Sequence, residues 1–230
     1  MPAVATESLC FELEIGWSAA DERRLYDELR PFVTLVRRHV DGGGPIASHI
    51  PGTGSICVPI TNITHPDELY RTAEGSVQAE QFVAQDYDDY WLTTHVSTVP
   101  VVILLSKRNH APFPCLSDLC DRCARYLSAP VGPNCYLQCN LPGFAWQLHT
   151  DDEYEGVSSR VHVPMITTPQ NVFAWAPTFD TVRGQWLMER HLERGHVYLT
   201  RTDVPHTAIN EHPSEARVHL IIDVGAAPPI

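Results

Sequence analysis

The chain has 230 residues, of which 43% are hydrophobic and 19% charged, and this balance predicts a globular protein with a sizeable core. Its 16 basic and 28 acidic residues give a formal net charge of −12, which argues against a nucleic-acid partner because such a partner needs a basic face. No apolar run approaches the roughly 20 residues of a membrane span, and the N-terminus lacks the features of a signal peptide, so we expect a soluble, cytoplasmic protein with no membrane partner.

The N-terminal part, residues 1–105, is predicted to be helical or mixed. Apolar residues recur at helical spacing over Ala19–Val40, and Pro31 inside this helix predicts a kink or a split. Residues 41–55 are rich in glycine and proline and predict a loop. A second helix is predicted over residues 65–85. The apolar run at residues 100–105 has the length of a buried strand.

Beyond residue 105 the pattern changes to short alternating segments, which predict strands at 134–140, 159–167, 171–175, 196–200 and 215–224. The sequence LSDLCDRCARYL interrupts them and predicts a short helix capped by Ser117 or Asp118. Helices followed by closely spaced strands predict an α+β, mainly β chain. We expect one domain over residues 1–230, in which residues 106–230 form an antiparallel sandwich or barrel and the N-terminal helices lie outside one sheet.

Seven cysteines in a chain without a secretory signal predict reduced thiols instead of disulfides. Cys120 and Cys123 lie on the short predicted helix, and Cys135 and Cys139 lie on the strand that follows. Their spacing leaves open a zinc site that staples an interaction module. Because the first pair shares an apolar helix face with neighbouring leucines, the pattern favours core thiols.

The pair His149 and Asp151 is the first candidate for a metal site. Residues two apart point the same way on a strand, so both side chains can reach one ion, although a polar strand end is the alternative. An iron(II) site of the facial type needs a further imidazole, which leaves three positions for substrates. The downstream candidates are His162, His191, His196, His206, His212 and His219. Of these, His206 stands out because Pro205 constrains the chain that enters its segment, DVPHTAIN.

Arg217 opens the apolar strand RVHLIIDV, eleven residues after His206. A buried guanidinium is costly unless an anion meets it, and it binds a carboxylate in a fixed bidentate geometry. We therefore expect Arg217 to hold the far carboxylate of a dicarboxylate whose 2-oxo acid end chelates the iron. Arg160 and His162 share a second strand face and are predicted to hold the other end of that ligand. An exposed arginine and a core histidine are the alternatives for these two residues.

These residues form an ordered set: His149-x-Asp151, Arg160-x-His162-x-Pro164, Gly195, His206-x3-Asn210 and Arg217-x2-Leu220-Ile-x-Asp223. In this order the chain resembles the aspartyl/asparaginyl β-hydroxylase family of iron(II)- and 2-oxoglutarate-dependent dioxygenases. The resemblance covers residues 134–224 and implies a double-stranded β-helix, or jelly-roll, fold. Asn210 is then either a residue that orients His206 or a turn former.

The resemblance implies that His149, Asp151 and His206 bind iron(II), with 2-oxoglutarate and O2 as co-substrates held by Arg217 and, on the other side, by Arg160 with His162. The animal enzymes of the family lack the carboxylate ligand. Its presence here resembles the bacterial branch that hydroxylates small amino acids. The implied reaction is hydroxylation of an unactivated C–H bond in a small amino acid or a derivative, with release of succinate and CO2.

Other functions stay open at this point: a hydroxylase of a peptide or carrier-bound aminoacyl residue, and a metal-binding barrel or zinc-stapled module without catalysis. The residues that bind the primary substrate are the least specified part of the site. The candidates are Gln147, Asp152, Tyr154, Trp175 and Arg183. An amino-acid substrate needs a cation for its carboxylate and an acceptor for its amine, which suggests Arg183 for the first and either Asp152 or Glu153 for the second. The loop at 41–55 is a candidate lid.

Overall fold

A computed structural model of the protein describes residues 9–40, 55–59, 104–106, 113–151 and 158–225. Within these ranges the chain is mainly β, with antiparallel sheets and two helices. The elements are β1 (Cys10–Glu12), α1 (Ala19–Val40), β2 (Ser55–Pro59), β3 (Leu104–Ser106), α2 (Pro114–Leu127), β4 (Val131–Asn140), β5 (Ser159–Ile166), β6 (Asn171–Trp175), β7 (Met188–His191), β8 (Tyr198–Arg201), β9 (His206–Asn210) and β10 (Arg217–Val224). The helix predicted over residues 65–85 and nearly all of the loop predicted over 41–55 lie outside the described residues.

The strands form a large sheet and a small one. The large sheet has the order β1-β8-β5-β10-β4-β2, and β3 also pairs with β4. The small sheet has the order β7-β6-β9, and the segment before His149 extends it through bridges from Ala145 to Ile209 and from His149 to His206. Through these bridges, the chain that carries His149 lies beside β9.

The long strands of the large sheet have apolar residues on one face and include polar residues on the other. Val218, Leu220 and Ile222 of β10 belong to the apolar core beneath the helices, together with Val161 and Val163 of β5. The residues that alternate with them, such as Arg217 and His219, have the opposite orientation because successive side chains of a strand point to opposite faces. Both faces of β10 are buried, so its polar residues lie inside the protein.

The two helices cover the apolar face of the large sheet. Helix α1 has the predicted bounds and continues across Pro31 without a break, which corrects the expected split. Helix α2 begins at Pro114, before the predicted cap residues Ser117 and Asp118, and no side chain of its own caps it. Instead Glu28 of α1 accepts hydrogen bonds from the first free N–H groups of α2, those of residues 115 and 116, at 2.8 and 2.9 Å. Neither described helix is long and apolar enough to cross a membrane.

Several strand boundaries differ from the prediction. Strand β4 starts at Val131, three residues earlier than expected, whereas β8 starts at Tyr198, two residues later. The later start of β8 follows from the turn before it, where Gly195 has a φ of +89°, a left-handed conformation that favours glycine. The short strands β1 and β7 were not predicted, because three or four residues carry too little alternation to be recognised.

Asn210 joins the ends of several strands. Its amide nitrogen donates to the carbonyl oxygens of Asn140, Leu141 and Glu215 at 2.8–3.1 Å, and its amide oxygen accepts from Asn171 at 2.6 Å. The side chain is fully buried, and these hydrogen bonds go to the strand ends and not to His206. The structure therefore favours a structural role for Asn210, which satisfies buried backbone groups.

Replacing Asn210 with alanine is expected to lower the free energy of unfolding by about 2–4 kcal/mol, because several buried polar groups lose their partner at once. Chemical denaturation followed by circular dichroism measures this loss. The exposed Gln170, changed to alanine, is the control and is expected to alter stability by no more than about 0.5 kcal/mol. Equal effects of the two substitutions would contradict the structural role of Asn210.

Candidate metal centre

Three side chains meet where the segment before β5 lies against the start of β9. One ligand atom from each of His149, Asp151 and His206 lies within 4.8 Å of the other two. The Nε2 atom of His149 is 3.7 Å from Oδ1 of Asp151, and Nε2 of His206 is 3.6 Å from Oδ2. Asp151 and His206 are buried, while the His149 side chain is 37% exposed, so the group opens to solvent on the His149 side.

The two imidazoles are held in the same tautomer by the same kind of contact, between Nδ1 and the carbonyl oxygen of the residue two positions earlier. Nδ1 of His149 lies 2.8 Å from the carbonyl oxygen of Gln147, and Nδ1 of His206 lies 3.0 Å from that of Val204. A carbonyl oxygen only accepts, so both Nδ1 atoms carry the proton and both Nε2 atoms present a lone pair. Each Nε2 is the atom directed at Asp151, which is the arrangement that a metal-binding histidine requires.

Arg160 lies between two carboxylates. Its Nη1 is 2.6 Å from Oδ2 of Asp151, and its Nε donates to Oδ1 of Asp223 at 2.9 Å. All three side chains are less than 10% exposed. The structure thus places Arg160 against the carboxylate of the candidate metal ligand, where it fixes one oxygen of Asp151.

The charge state of the group suits a divalent cation. Burial raises the pKa of Asp151, while the charges of Arg160 and His149 oppose this rise. Burial also holds the pKa of His206 well below its ordinary value, and the neighbouring His149 lowers it further. The imidazole of His206 is therefore neutral at pH 7, and a cation bound beside Asp151 would offset the desolvation of the carboxylate.

The substitution Asp223→Asn is expected to weaken divalent-metal binding about 10- to 100-fold, the range found when a partner of a metal ligand is removed. Without the Asp223 charge, the Arg160 guanidinium is drawn more strongly to Asp151 and competes with the metal for that carboxylate. Titration with cobalt(II), followed by its visible absorption, measures the affinity. Asp203→Asn is the matched control, because Asp203 pairs with Arg201 on a partly exposed surface. An unchanged affinity in Asp223→Asn would contradict this role.

A second polar group surrounds Arg217, which is 1% exposed. Its Nη2 lies 2.9 Å from Nδ1 of His219, and its Nη1 lies 3.4 Å from the amide oxygen of Gln138. Among the described residues no carboxylate pairs with it. Burial lowers the pKa of Arg217 to about 9, so the group is still cationic at neutral pH. It is a buried cation with no acidic partner in the described part of the chain.

An aromatic ring connects this group to the metal centre. Phe173 of β6 stacks on His206 with ring centroids 5.2 Å apart and meets the edge of His162 at the same separation. His162 in turn lies 5.8 Å from His219, measured between ring centroids. His162 is buried and neither of its ring nitrogens has a hydrogen-bond partner in the described structure. The candidate metal ligands and the buried arginine therefore border one interior region between the sheets.

Of the five residues predicted to bind the primary substrate, three lie in the described part of the chain. Trp175 is fully buried, and its indole N–H donates to the carbonyl oxygen of Arg201 at 2.8 Å, which leaves no surface open to a substrate. Gln147 is exposed beside His149. Arg183 is exposed and pairs with Glu211 at the end of β9. Asp152 and Tyr154 lie outside the described residues.

The cysteines belong to the core. Cys120, Cys123, Cys135 and Cys139 are buried free thiols in the apolar layer between the helices and the large sheet. Burial raises the pKa of Cys123 to about 12 and that of Cys135 well above its ordinary value. Within the described part of the chain, the group formed by His149, Asp151 and His206 is the one with metal-ligand spacing, and these thiols form none.

Sequence reasoning overlooked three residues of this region: Phe173, His219 and Asp223. The family pattern includes Asp223 without a role, and His219 is named only among the candidates for the further imidazole ligand. A signal for His219 was present, since it lies two residues after Arg217 and must share its face. Phe173 carried no such signal, because its approach to His206 depends on the pairing of β6 with β9.

No protein-family model matches the chain, and no curated protein is significantly similar to it in sequence. Among solved structures, AviO1 from Streptomyces viridochromogenes Tue57 is 13% identical, with 96% of this chain and 92% of AviO1 covered at a TM-score of 0.50. An oxidoreductase of the 2OG-Fe(II) oxygenase family from Burkholderia pseudomallei is 15% identical, with 50% and 57% of the two chains covered at 0.41. HygX from Streptomyces hygroscopicus, with nickel and 2-oxoglutarate bound, is 11% identical, with 50% and 66% covered at 0.39.

The chain thus spans 57% of the length of the Burkholderia protein and 66% of HygX. The match to AviO1 extends over nearly the whole of both chains and shows a shared fold. Fold alone does not assign a reaction, so the function has to be inferred from the residues of the site.

Proposed function

We propose that the protein is an iron(II)- and 2-oxoglutarate-dependent dioxygenase that hydroxylates a small amino acid or a derivative of one. His149, Asp151 and His206 would hold the iron, and Arg217 would hold the distal carboxylate of 2-oxoglutarate. The observation that carries this proposal is the combination of the two groups: three ligand atoms within 4.8 Å of one another, and a buried arginine beside the same interior that pairs with no acid among the described residues.

The donors suit iron(II). Two imidazole nitrogens and one carboxylate oxygen make up the set that binds non-haem iron(II) and leaves positions for co-substrates. Both imidazoles already present the unprotonated Nε2, so no rearrangement of the histidines is needed. When bound, iron(II) with 2-oxoglutarate and O2 supplies the oxidising power that replaces a C–H bond by C–OH, with release of succinate and CO2.

The protein's own residues bind, orient and shield the reactants. The Arg160 guanidinium limits the freedom of the Asp151 carboxylate, so that one oxygen is directed toward the metal. Arg217 offers a charge-assisted pair to a carboxylate at a fixed distance from the metal centre. Phe173 closes the space behind His206 with an apolar ring and excludes water there.

The strand order supports a double-stranded β-helix as the framework. The sequence β4-β10-β5-β8 in one sheet faces a second sheet of β9, β6 and β7, which the segment before His149 extends beside β9. This order has the alternating, non-sequential neighbours of a jelly roll. We infer that the metal centre lies between the two sheets of such a barrel, and that residues 1–230 form one domain around it.

The substrate class follows from the resemblance to the aspartyl/asparaginyl β-hydroxylase family. Asp151 supplies the carboxylate found in the branch that acts on small amino acids, and the described structure directs that carboxylate at both histidines. A peptide or a carrier-bound aminoacyl group is the alternative substrate, because it would use the same metal residues. The exposed side of His149 is where either substrate would enter.

The test is to add iron(II) and 2-oxoglutarate to the protein without oxygen and record the visible absorption spectrum. The chelate of iron(II) by a 2-oxo acid has a charge-transfer band, which we expect to form stoichiometrically. Amino acids and short peptides are then screened with oxygen for those that accelerate succinate release. A protein that binds iron(II) but shows no band with 2-oxoglutarate would refute the proposed co-substrate. Acceleration by peptides alone would refute the free amino acid as substrate.

A further inference from the structure

His219 is a further residue of the site proposed for the co-substrate anion, and its role there deepens the proposed function. His219 is 1% exposed and lies on β10 two residues after Arg217, on the same face of the strand. Its Nδ1 lies 2.9 Å from Nη2 of the Arg217 guanidinium. A guanidinium can only donate, so Nδ1 must be the acceptor.

This contact determines the tautomer of His219. With Nδ1 unprotonated, the neutral ring carries its proton on Nε2. The two histidines of the metal centre have the opposite tautomer, because their Nδ1 atoms donate to carbonyl oxygens. The metal centre thus presents nitrogen lone pairs, whereas His219 presents an N–H group.

That N–H group is buried and lacks an acceptor in the described structure, since Nε2 of His219 has no hydrogen-bond partner. Buried donors are rarely left unpaired, so an unpaired donor indicates a missing partner. His162 lies beside His219 and also has both ring nitrogens unpaired. Neutral imidazole carries one N–H, so His162 contributes another donor to the same region.

The charge of the region indicates the kind of partner. Arg217 is a buried cation, and its hydrogen-bond partners among the described residues are Gln138 and His219, neither of which is an acid. Burial holds the pKa of His219 well below its ordinary value, and the charge of Arg217 lowers it further, so the imidazole is neutral. One positive charge surrounded by neutral N–H donors matches one carboxylate group.

We propose that His219 binds the same carboxylate as Arg217: its Nε2–H donates to a carboxylate oxygen, and its Nδ1 holds the guanidinium in the orientation that pairs with the anion. His219 is then both a binding residue and a positioning residue for the co-substrate. This proposal depends on the proposed function only for the identity of the anion, the distal carboxylate of 2-oxoglutarate.

Two substitutions separate the two roles. His219→Asn keeps an oxygen near the position of Nδ1, which can still accept from Arg217, but it has no atom at the position of Nε2. His219→Leu removes both groups. We expect succinate and 2-oxoglutarate to bind about 10-fold more weakly to the asparagine variant and about 100-fold more weakly to the leucine variant, as the loss of hydrogen bonds to a charged group implies.

Affinities are measured by isothermal titration calorimetry with the purified protein, both metal-free and loaded with manganese(II). Val218→Ala is the matched control, because Val218 is the neighbouring residue of β10 and points into the core beneath the helices. It is expected to lower the melting temperature and leave both affinities unchanged. Wild-type affinity in both His219 variants would overturn the proposal, as would an equal loss in Val218→Ala.

A second measurement requires no stable leucine variant. Long-range proton–nitrogen NMR of protein labelled at the histidine rings reports each tautomer. We expect the His219 signals, identified by their absence in His219→Asn, to show an Nε2–H ring and to shift when succinate is added. An Nδ1–H ring, or signals that do not respond to succinate, would contradict the proposal. If the charge-transfer band of iron(II) with 2-oxoglutarate forms but the His219 NMR signals do not respond to succinate, this inference fails and the proposed function stands.

Discussion

Replacing His206 with alanine is expected to weaken divalent-metal binding by more than about 100-fold, because a direct ligand should contribute more than the partners of ligands, whose loss costs up to that factor. The Nε2 atom of His206 lies 3.6 Å from Asp151, and no other described histidine except His149 has a nitrogen in this group. Anaerobic titration with iron(II) or cobalt(II) gives the stoichiometry and affinity, and circular dichroism checks that the variant is folded.

His191→Ala is the matched control for this experiment. The Nδ1 atom of His191 also lies close to a main-chain carbonyl oxygen, that of Asn171 at 2.9 Å, but the ring is not part of the metal group. It should bind one metal ion per chain as the wild type does. If His206→Ala retained wild-type affinity, or if both substitutions reduced it equally, the assignment of the metal centre would be wrong.

Replacing Arg217 with methionine is expected to have two effects of opposite sign. The protein without ligands should become more stable by about 1–4 kcal/mol, since a buried charge with no acidic partner among the described residues is replaced by an apolar side chain of similar length. At the same time 2-oxoglutarate should lose about 2–5 kcal/mol of binding free energy, the cost of truncating a buried charge pair. Few structural arginines would show the first effect, so the combination is specific to an anion site.

Thermal unfolding with and without 2-oxoglutarate measures both effects in one series. The wild type should be stabilised by the ligand and Arg217→Met should not, although its melting temperature without ligand is the higher of the two. Arg201→Met is the control, because Arg201 already has an acid partner in Asp203 and is partly exposed. A variant at Arg217 that is less stable than wild type and still binds 2-oxoglutarate normally would contradict both assignments.

The pairing of His149 with Asp151 was predictable from a local rule, because residues two positions apart on a strand point to the same face. His206 was one of several downstream candidates, favoured by the proline before it, and its approach to this pair depends on the bridge between His149 and His206. The shared face of Arg217 and its neighbours on β10 follows from the same two-residue repeat. The pairing of His149 with Asp151 and the shared face on β10 involve residues that are near in sequence, so no knowledge of the complete fold was needed to propose them.

Other features required the tertiary structure. Arg160 was expected to contact the co-substrate, and its position between Asp151 and Asp223 depends on the pairing of β5 with β10, in which Arg160 lies opposite Asp223. The cap of α2 comes from Glu28, which is 87 residues away from Cys115 in the chain. A local pattern carries no information on partners at such separations, so the nearest polar residues, Ser117 and Asp118, were chosen instead.

The sequence by itself determined the period of the strands and the chemical character of the site: a strand such as β10 alternates apolar residues with Arg217, His219 and Asp223 whatever surrounds it. It did not determine what each face of the strand contacts. In an antiparallel sheet with one side in water, the polar face would be the solvent face. Here the helices cover the apolar face and β6 and β9 lie across the polar one, so the polar residues are buried in the protein's interior. Tertiary packing, which decides where desolvation acts, buries the polar face of an ordinary alternating strand beside the candidate metal centre.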